Sequence, residues 1–284
     1  MCPIRLATLL KEATALLGGE SGIDTPGLDA RLIAGRVLGL VESDVLLNQD
    51  LVVTAEKAKE FFEAISKRVS GVPVSHILCK REFWSMDFTV SSDVLDPRPD
   101  TETLVSSVLK IYRNKTRRMT IADLGTGTGC IIIALLSHYK NAIGEAYEKS
   151  PKAYRVAYGN LAKHNIARRV RLHRASWEKC NGKFDLIVSN PPYIKRYKIP
   201  RLQPEVRFHE PLLALDGGIN GTEKYVEIFH ILNRCLKVNG RAILEIGEDQ
   251  SNIRACAIRW GMKFCGYVND LAGRPRCIVL KRSN

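Results

Sequence analysis

The sequence has no apolar run approaching the roughly 20 residues that a membrane-crossing helix needs. Its longest, residues 130–136, is far too short. Arg5, Lys11 and Glu12 interrupt the apolar residues near the start, so no leader-type apolar segment forms, and a cytoplasmic protein without membrane contact is expected. None of the 8 cysteines forms a Cys-x-x-Cys pair. That spacing disfavours a zinc cluster or a small disulfide framework, so reduced, mostly buried thiols and no metal are expected. Cys130 should open a helix, a position that can lower a thiol pKa, yet no His or Asn constellation marks it as a nucleophile. Acid is also in short supply: 30 Asp and Glu against 43 Lys and Arg leave a net charge of +13. Basic clusters fall at residues 113–118, 168–174 and 195–201. They suit a polyanionic partner such as nucleic acid or the ribosome, and equally a solvated basic surface.

What is present is ordinary globular composition, 45% hydrophobic and 26% charged, in 284 residues, enough for two modest domains. Leu6, Leu9, Leu10, Ala13, Leu16 and Leu17 recur at helical spacing until Gly18-Gly19. Thr25-Pro26 predicts an N-cap with proline at the first helical position, and Thr54 caps a third segment running to Val69. No strand-like alternation precedes residue 80, so residues 1–75 read as a small helical domain. Phe83, Trp84, Met86, Phe88 and Val90 then switch to a two-residue period, which places a β-hairpin linker at 76–95. Asp100 is the expected cap of a helix beginning at Thr101.

Residues 96–284 alternate strand and helix. Candidate strands are 121–124, 142–147, 170–173, 184–189, 241–246, 262–268 and 276–280. This pattern predicts an α/β fold, a doubly wound, mostly parallel seven-stranded sheet. The last two strands lack room for a helix between them and should pair antiparallel at one edge.

Two stretches of this domain carry the chemistry. Asp123, Gly125, Thr126, Gly127, Thr128 and Gly129 close the first strand and open a helix. Glycines let a backbone turn sharply and approach a ligand closely, at the sheet end where ligands bind in such folds. A phosphate-binding loop would need Gly-Lys-Ser/Thr, but Gly129 is followed by Cys130-Ile131. A dinucleotide fingerprint would put its third small residue at Cys130. A nucleoside without a pyrophosphate fits better. Glu148, ending the next strand, is placed to accept from ribose hydroxyls, with Glu145 as competitor; Ser176 and Trp177 are placed to border an adenine.

Asn190, Pro191, Pro192 and Tyr193 follow the buried strand 184–189. The prolines carry no N–H, so the turn offers acceptors without donor competition. The Asn190 side-chain oxygen and the Pro191 carbonyl can each take one hydrogen of an amide-type NH₂, while Tyr193 offers a flat face. Methyl transfer from a sulfonium is an in-line displacement that positioning can drive without a strong base. A methyltransferase acting on a planar nitrogen is the expected activity. The absence of any Pro-Cys pair disfavours cysteine-nucleophile base methylation.

These residues resemble the HemK-type (PrmC-like) release factor glutamine methyltransferases, class I enzymes using S-adenosylmethionine. The likeness also takes in Phe83-Trp84, Pro97 through Glu102, Glu205-Val206, Glu210-Pro211, Gly217-Gly218 and Asn269 through Arg274, and spans about residues 5–281. It implies a helical substrate-recognition domain before the methyltransferase domain, and methylation of the glutamine amide in the Gly-Gly-Gln motif of peptide-chain release factors. By the same likeness the glycine loop, Glu148, Trp177 and Asn190 contact S-adenosylmethionine, Asn190 to Tyr193 hold the glutamine, and Arg98, Thr101 and Glu102 line the site. Two departures stand out: Glu148 and Ser176 occupy positions where the family usually has Asp. Ribosomal-protein glutamine methylation, amino-group methylation of adenine or guanine in RNA or DNA, and a non-catalytic binding module remain as rivals.

Overall fold

The computed structural model describes residues 4–19 and 22–283; Cys2 lies outside them. The chain divides into two units, one comprising residues up to Lys80 plus Gln203–His209, the other Arg81–Leu202 plus Glu210 onward.

The first unit is helical, with helices Leu6–Gly18, Pro26–Leu38, Glu42–Leu47, Ala55–Val69 and Val74–Leu78. Leu6, Leu9, Ala13 and Leu17 share its core with Ile33, Phe61 and Ile65. Thr54 caps as expected, accepting the Lys57 N–H at 3.3 Å. Thr25 does not: its hydroxyl donates to Asp29 Oδ1 at 3.2 Å instead, and Pro26 alone sets the helix start. Ile4–Arg5 and Val52–Val53 pair antiparallel, too briefly for any alternation to show in the sequence. Helix Pro204–His209 belongs to this unit through Glu205, which meets the buried Arg68 at 2.5 Å while Asp29 holds the same guanidinium at 2.7 Å. Loss of one partner from such a buried group is strongly destabilising.

The second unit opens on a hairpin, Lys80–Phe83 and Met86–Thr89. Trp84 and Ser85 both take positive φ, 54° and 53°, the conformation of a two-residue type I′ turn. Phe83 and Phe88 enter the core of this unit, so the segment expected as a linker is packed structure. The division between units falls after Lys80.

Seven strands form the main sheet: β1 Thr120–Leu124, β2 Ile143–Tyr147, β3 Val170–His173, β4 Phe184–Ser189, β5 Leu236–Glu245, β6 Met262–Asn269 and β7 Pro275–Arg282. Their order is β6-β7-β5-β4-β1-β2-β3. β7 runs antiparallel to both neighbours, while β1 to β5 pair parallel. β5 begins five residues before the expected start, because Lys237 and Asn239-Gly240 read as turn chemistry although Leu236 pairs with Phe184. Alternate residues feed two cores. Ile121, Leu186 and Ile243 face helices Glu102–Ile111 and Cys130–His138; Ala122, Ile187 and Leu244 face Glu223–Cys235. The apolar run 130–136 is buried throughout, and each Ile or Leu removed from water there contributes about 1.5–3 kcal/mol. Strand order reverses between β1 and β4, and a ligand crevice forms at such a point, beyond the strands' carboxyl ends.

Candidate active site

A cavity of about 280 Å³ lies there, bordered by the ends of β1, β2 and β4 and by residues 92–98. Its floor is the glycine loop. Gly125, Gly127 and Gly129 have φ of +76°, +55° and +81°, backbone that side chains rarely adopt. Tyr147 O accepts both the Gly125 and Thr126 N–H at 3.0 Å, stapling the loop to β2. Thr126 Oγ1 donates to Asp123 Oδ2 at 2.6 Å. Asp123 is wholly buried, and its Oδ1 has no hydrogen-bond partner among the described residues. Desolvation, opposed by the Thr126 bond, pushes its pKa up to about 7. Cys130 opens the following helix as expected, and burial raises its thiol to about 12, which works against a nucleophilic role. Cys180, Cys235 and Cys277 are also buried, whereas Cys79 and Cys265 are exposed.

Glu148 reaches back across the loop. Its Oε2 accepts the Gly127 N–H at 3.1 Å and its Oε1 the Ser150 N–H at 2.8 Å. A carboxylate has about four lone-pair sites, so acceptor capacity remains for a diol. Glu145, the competitor, is occupied elsewhere, by Tyr147 Oη at 2.7 Å and His173 Nε2 at 2.9 Å. Trp177 lines the cavity, and its Nε1 donates to Glu227 Oε2 at 3.1 Å. Ser176 is not in the lining; its hydroxyl accepts the Glu178 N–H, capping its own turn.

Asn190 and Pro192 line the same cavity. Their turn is anchored from beneath by Ser189 Oγ, which donates to Leu124 O at 2.5 Å. Three glycines wrap it: a Cβ on Gly217 would lie 2.6 Å from Tyr193 Cα, one on Gly221 2.6 Å from Tyr193 O, and one on Gly247 2.7 Å from Tyr193 Cδ2. Pro191 is buried in the turn. The Tyr193 ring faces a neighbouring recess with Arg276 and Gly247 rather than the main cavity. Burial raises its hydroxyl pKa.

Arg98 and Thr101 line the cavity. Arg98 Nη2 meets the buried Glu210 at 2.5 Å, which ties residues 97–98 to 210–211. Glu102 is turned away: its Oε1 accepts the Trp84 N–H at 2.6 Å and holds the type I′ turn. Asp100 is not the helix cap, as no side chain caps Glu102–Ile111; it pairs with Arg276 at 3.1 Å. Asp270 orients Arg276 at 3.2 Å and also accepts the Arg274 N–H at 3.0 Å, which gives the motif near the C-terminus a structural task.

Sequence reasoning overlooked Glu245, an acid at the carboxyl end of β5 that is 1% exposed. Desolvation lifts its pKa to about 7, while contact with Thr101, Arg276 and Asn190 works against that rise. Its signal was available: it ends a strand, as Asp123 and Glu148 nearly do.

Two family models match the chain, the PrmC N-terminal domain over residues 8–78 and the methyltransferase small domain over residues 87–202. The chain is 42% identical to a release factor glutamine methyltransferase of Rhodospirillum rubrum, over 92% of this chain and 81% of that protein. It is 38% identical to one of Agrobacterium fabrum, with 92% of each chain covered. Among solved structures, the hMettl16 catalytic domain in complex with a MAT2A 3′UTR hairpin superposes with a TM-score of 0.53 at 16% identity. That match covers 78% of this chain and 82% of the other, and speaks for the fold alone.

Proposed function

This chain belongs to the release factor glutamine methyltransferase family, and we propose that it methylates the side-chain amide nitrogen of the glutamine in the Gly-Gly-Gln motif of peptide-chain release factors. The observation that carries this is the meeting of Asn190 and Pro192 with the glycine loop and Glu148 around one cavity.

The cavity's residues fit S-adenosylmethionine. Three glycines bare the loop backbone, Glu148 keeps acceptor capacity, Asp123 Oδ1 has no hydrogen-bond partner among the described residues, and Trp177 provides an aromatic wall. When bound, that cofactor supplies an electrophilic sulfonium methyl. In this reading Glu148 accepts from the ribose, the glycine loop takes the nucleoside and amino-acid portions, and Trp177 borders the base. Ser176 contributes through the turn it caps. Asn190 Oδ1 and the Pro191 carbonyl orient the acceptor NH₂, and Arg98 and Thr101 flank it. Glu102 acts only through the hairpin it holds. Tyr193 stiffens the turn from the neighbouring recess. Orientation of the nitrogen by fixed acceptors is where the rate gain arises. The helical unit, matched by the PrmC N-terminal model, is assigned to recognition of the release factor.

The basic clusters fall into two classes. In the cluster at 195–201, Arg196 is paired with Asp216 and Lys198 with Asp249. The other two converge near the amino ends of the strands: Lys115 Nζ meets Tyr139 Oη at 3.2 Å, Asn141 donates to Thr116 O, and Arg169 reaches Tyr139 O at 2.9 Å. Residues 112–119, 138–142 and 163–171 contain no Asp or Glu. Asp185, at the amino end of β4, meets Arg117 at 3.7 Å, and the exposed cations around it support contact with nucleic acid, including ribosomal RNA, away from the cavity. No helix of the described residues is long and apolar enough to cross a membrane; a cytoplasmic location belongs to the same proposal.

The test is transfer of labelled methyl from S-adenosylmethionine to a release factor, its Gln→Ala form, a ribosomal-protein fraction, RNA and DNA in parallel. Labelling of the intact release factor alone is expected. Labelling of the ribosomal proteins or of nucleic acid instead would move the assignment to the corresponding rival.

A further inference from the structure

Glutamine methylation at this site requires Asn190 to present its oxygen, and not its nitrogen, to the incoming NH₂. A carboxamide is nearly symmetric in shape, so packing alone does not choose between its two ends. We propose that Glu245, acting with Thr101, makes that choice: it draws the Asn190 Nδ2 group toward itself and leaves Oδ1 for the acceptor substrate. Glu245 is thus a positioning residue, and this rests on the function proposed above.

Three observations carry the inference. First, β4 and β5 run parallel with Ser189 opposite Leu244, so Asn190 and Glu245 are the next residues along two adjacent strands. Second, Asn190 Nδ2 donates to Thr101 Oγ1 at 3.2 Å. Thr101 is 3% exposed, and a hydroxyl that accepts from Asn190 has its single proton left to donate. Thr101 and Asn190 both act against the rise that burial gives the Glu245 pKa, the sense expected of groups placed to donate toward its carboxylate. Third, Glu245 Oε2 is buried without a close partner, so acceptor capacity is held in reserve beside two donors. Arg276 and Asp100 also act on Glu245, but Arg276 is engaged by Asp270 and Asp100. An apolar residue at 245 would leave the Asn190 amide free to turn over, and its NH₂ would then confront the substrate NH₂ donor to donor.

A double-mutant cycle tests this with the full chain and a release factor as acceptor. Glu245→Leu should lower kcat by about 10²–10³-fold, the range for losing one oriented catalytic dipole, with the KM for the release factor and the Kd for S-adenosylmethionine held within about threefold. Asn190→Ala should lose a similar factor, and Glu245→Leu added to it should cost nothing more. Glu245→Gln, which preserves shape and one acceptor oxygen, should fall between wild type and Glu245→Leu, and it serves if the leucine variant does not fold. Multiplicative losses, or near-full kcat in Glu245→Leu, overturn the proposal. The Asn190 side-chain NH₂ resonances of ¹⁵N-labelled protein give a readout that needs no turnover. They should shift in Glu245→Gln, and an unchanged signal also overturns it. An inactive wild type with these NMR shifts intact would instead strike the proposed substrate.

Discussion

Gly125 sits against the ring of Trp177 so closely that a Cβ built on it would lie 3.0 Å from Trp177 Cζ3. The loop and the aromatic wall of the cavity therefore define each other. Gly125→Ala would meet both this contact and a φ of +76°, which costs a side chain about 1–2 kcal/mol. The expected outcome is S-adenosylmethionine binding weakened about 10- to 100-fold in calorimetry. Wild-type affinity would rule out this wall as part of the cofactor site.

Glu148 is straddled by two backbone donors, Gly127 N–H and Ser150 N–H, one on each oxygen. Glu148→Gln must turn its NH₂ toward one of them. The same NH₂ replaces one of the two oxygens that would accept from the ribose, and a hydrogen bond to a charged group contributes about 1.5–3 kcal/mol, so cofactor affinity should drop about tenfold or more. Glu148→Asp keeps both oxygens on a shorter arm and should lose less. Equal titration curves for the wild type and the glutamine variant would remove Glu148 from the site.

These two residues also mark how far the sequence is legible. Glycine spacing, strand ends and the proline turn are local signals, so the loop, Glu148 and Asn190 are readable from the chain, as are the positions of the strands. Pairings across long sequence separations are not. Nothing near Glu102 announces that Trp84 N–H claims it, and nothing near Asp100 announces Arg276. The start of β5 is hidden because Lys237 and Asn239-Gly240 look like a turn, although Phe184 and Leu236 pair across strands. Ser176 is a cap whose role shows only once the turn is built.

Asp123 makes the stability depend on pH in a definite sense. Its native pKa is raised from 3.8 to about 7. Below 3.8 both folded and unfolded chains hold the proton and no stability is lost. Between 3.8 and about 7 the native state keeps a proton that the unfolded chain has released, so stability falls as pH rises; above that the deficit is constant. Asp123→Asn should therefore flatten the curve of unfolding free energy between pH 4.5 and 6.5, by about 1.4 kcal/mol per pH unit relative to wild type. Urea denaturation of the cofactor-free protein across this range provides the measurement. Parallel curves for the two proteins would show that Asp123 is ionised in the folded state.

For the basic face, the triple substitution Arg113→Gln, Lys140→Gln and Arg168→Gln removes three exposed cations that have no role in the cavity. Fluorescence anisotropy with a labelled duplex RNA should show weaker binding, and the slope of log affinity against log salt should shrink by about 2 to 3. Methylation of a free release factor should be unchanged. Identical RNA affinity in variant and wild type would mean that the face is merely solvated.

The assignment of Gln203–His209 to the helical unit has a further consequence. The polypeptide crosses from one unit to the other after Lys80, again after Leu202, and once more after His209. A protein joined by a single tether can lose or trade its N-terminal module by one cut. Here a cut after residue 80 strands Glu205 without the Arg68 guanidinium it serves. A swap of the helical unit with a relative's would have to carry this short internal piece with it to keep that ion pair.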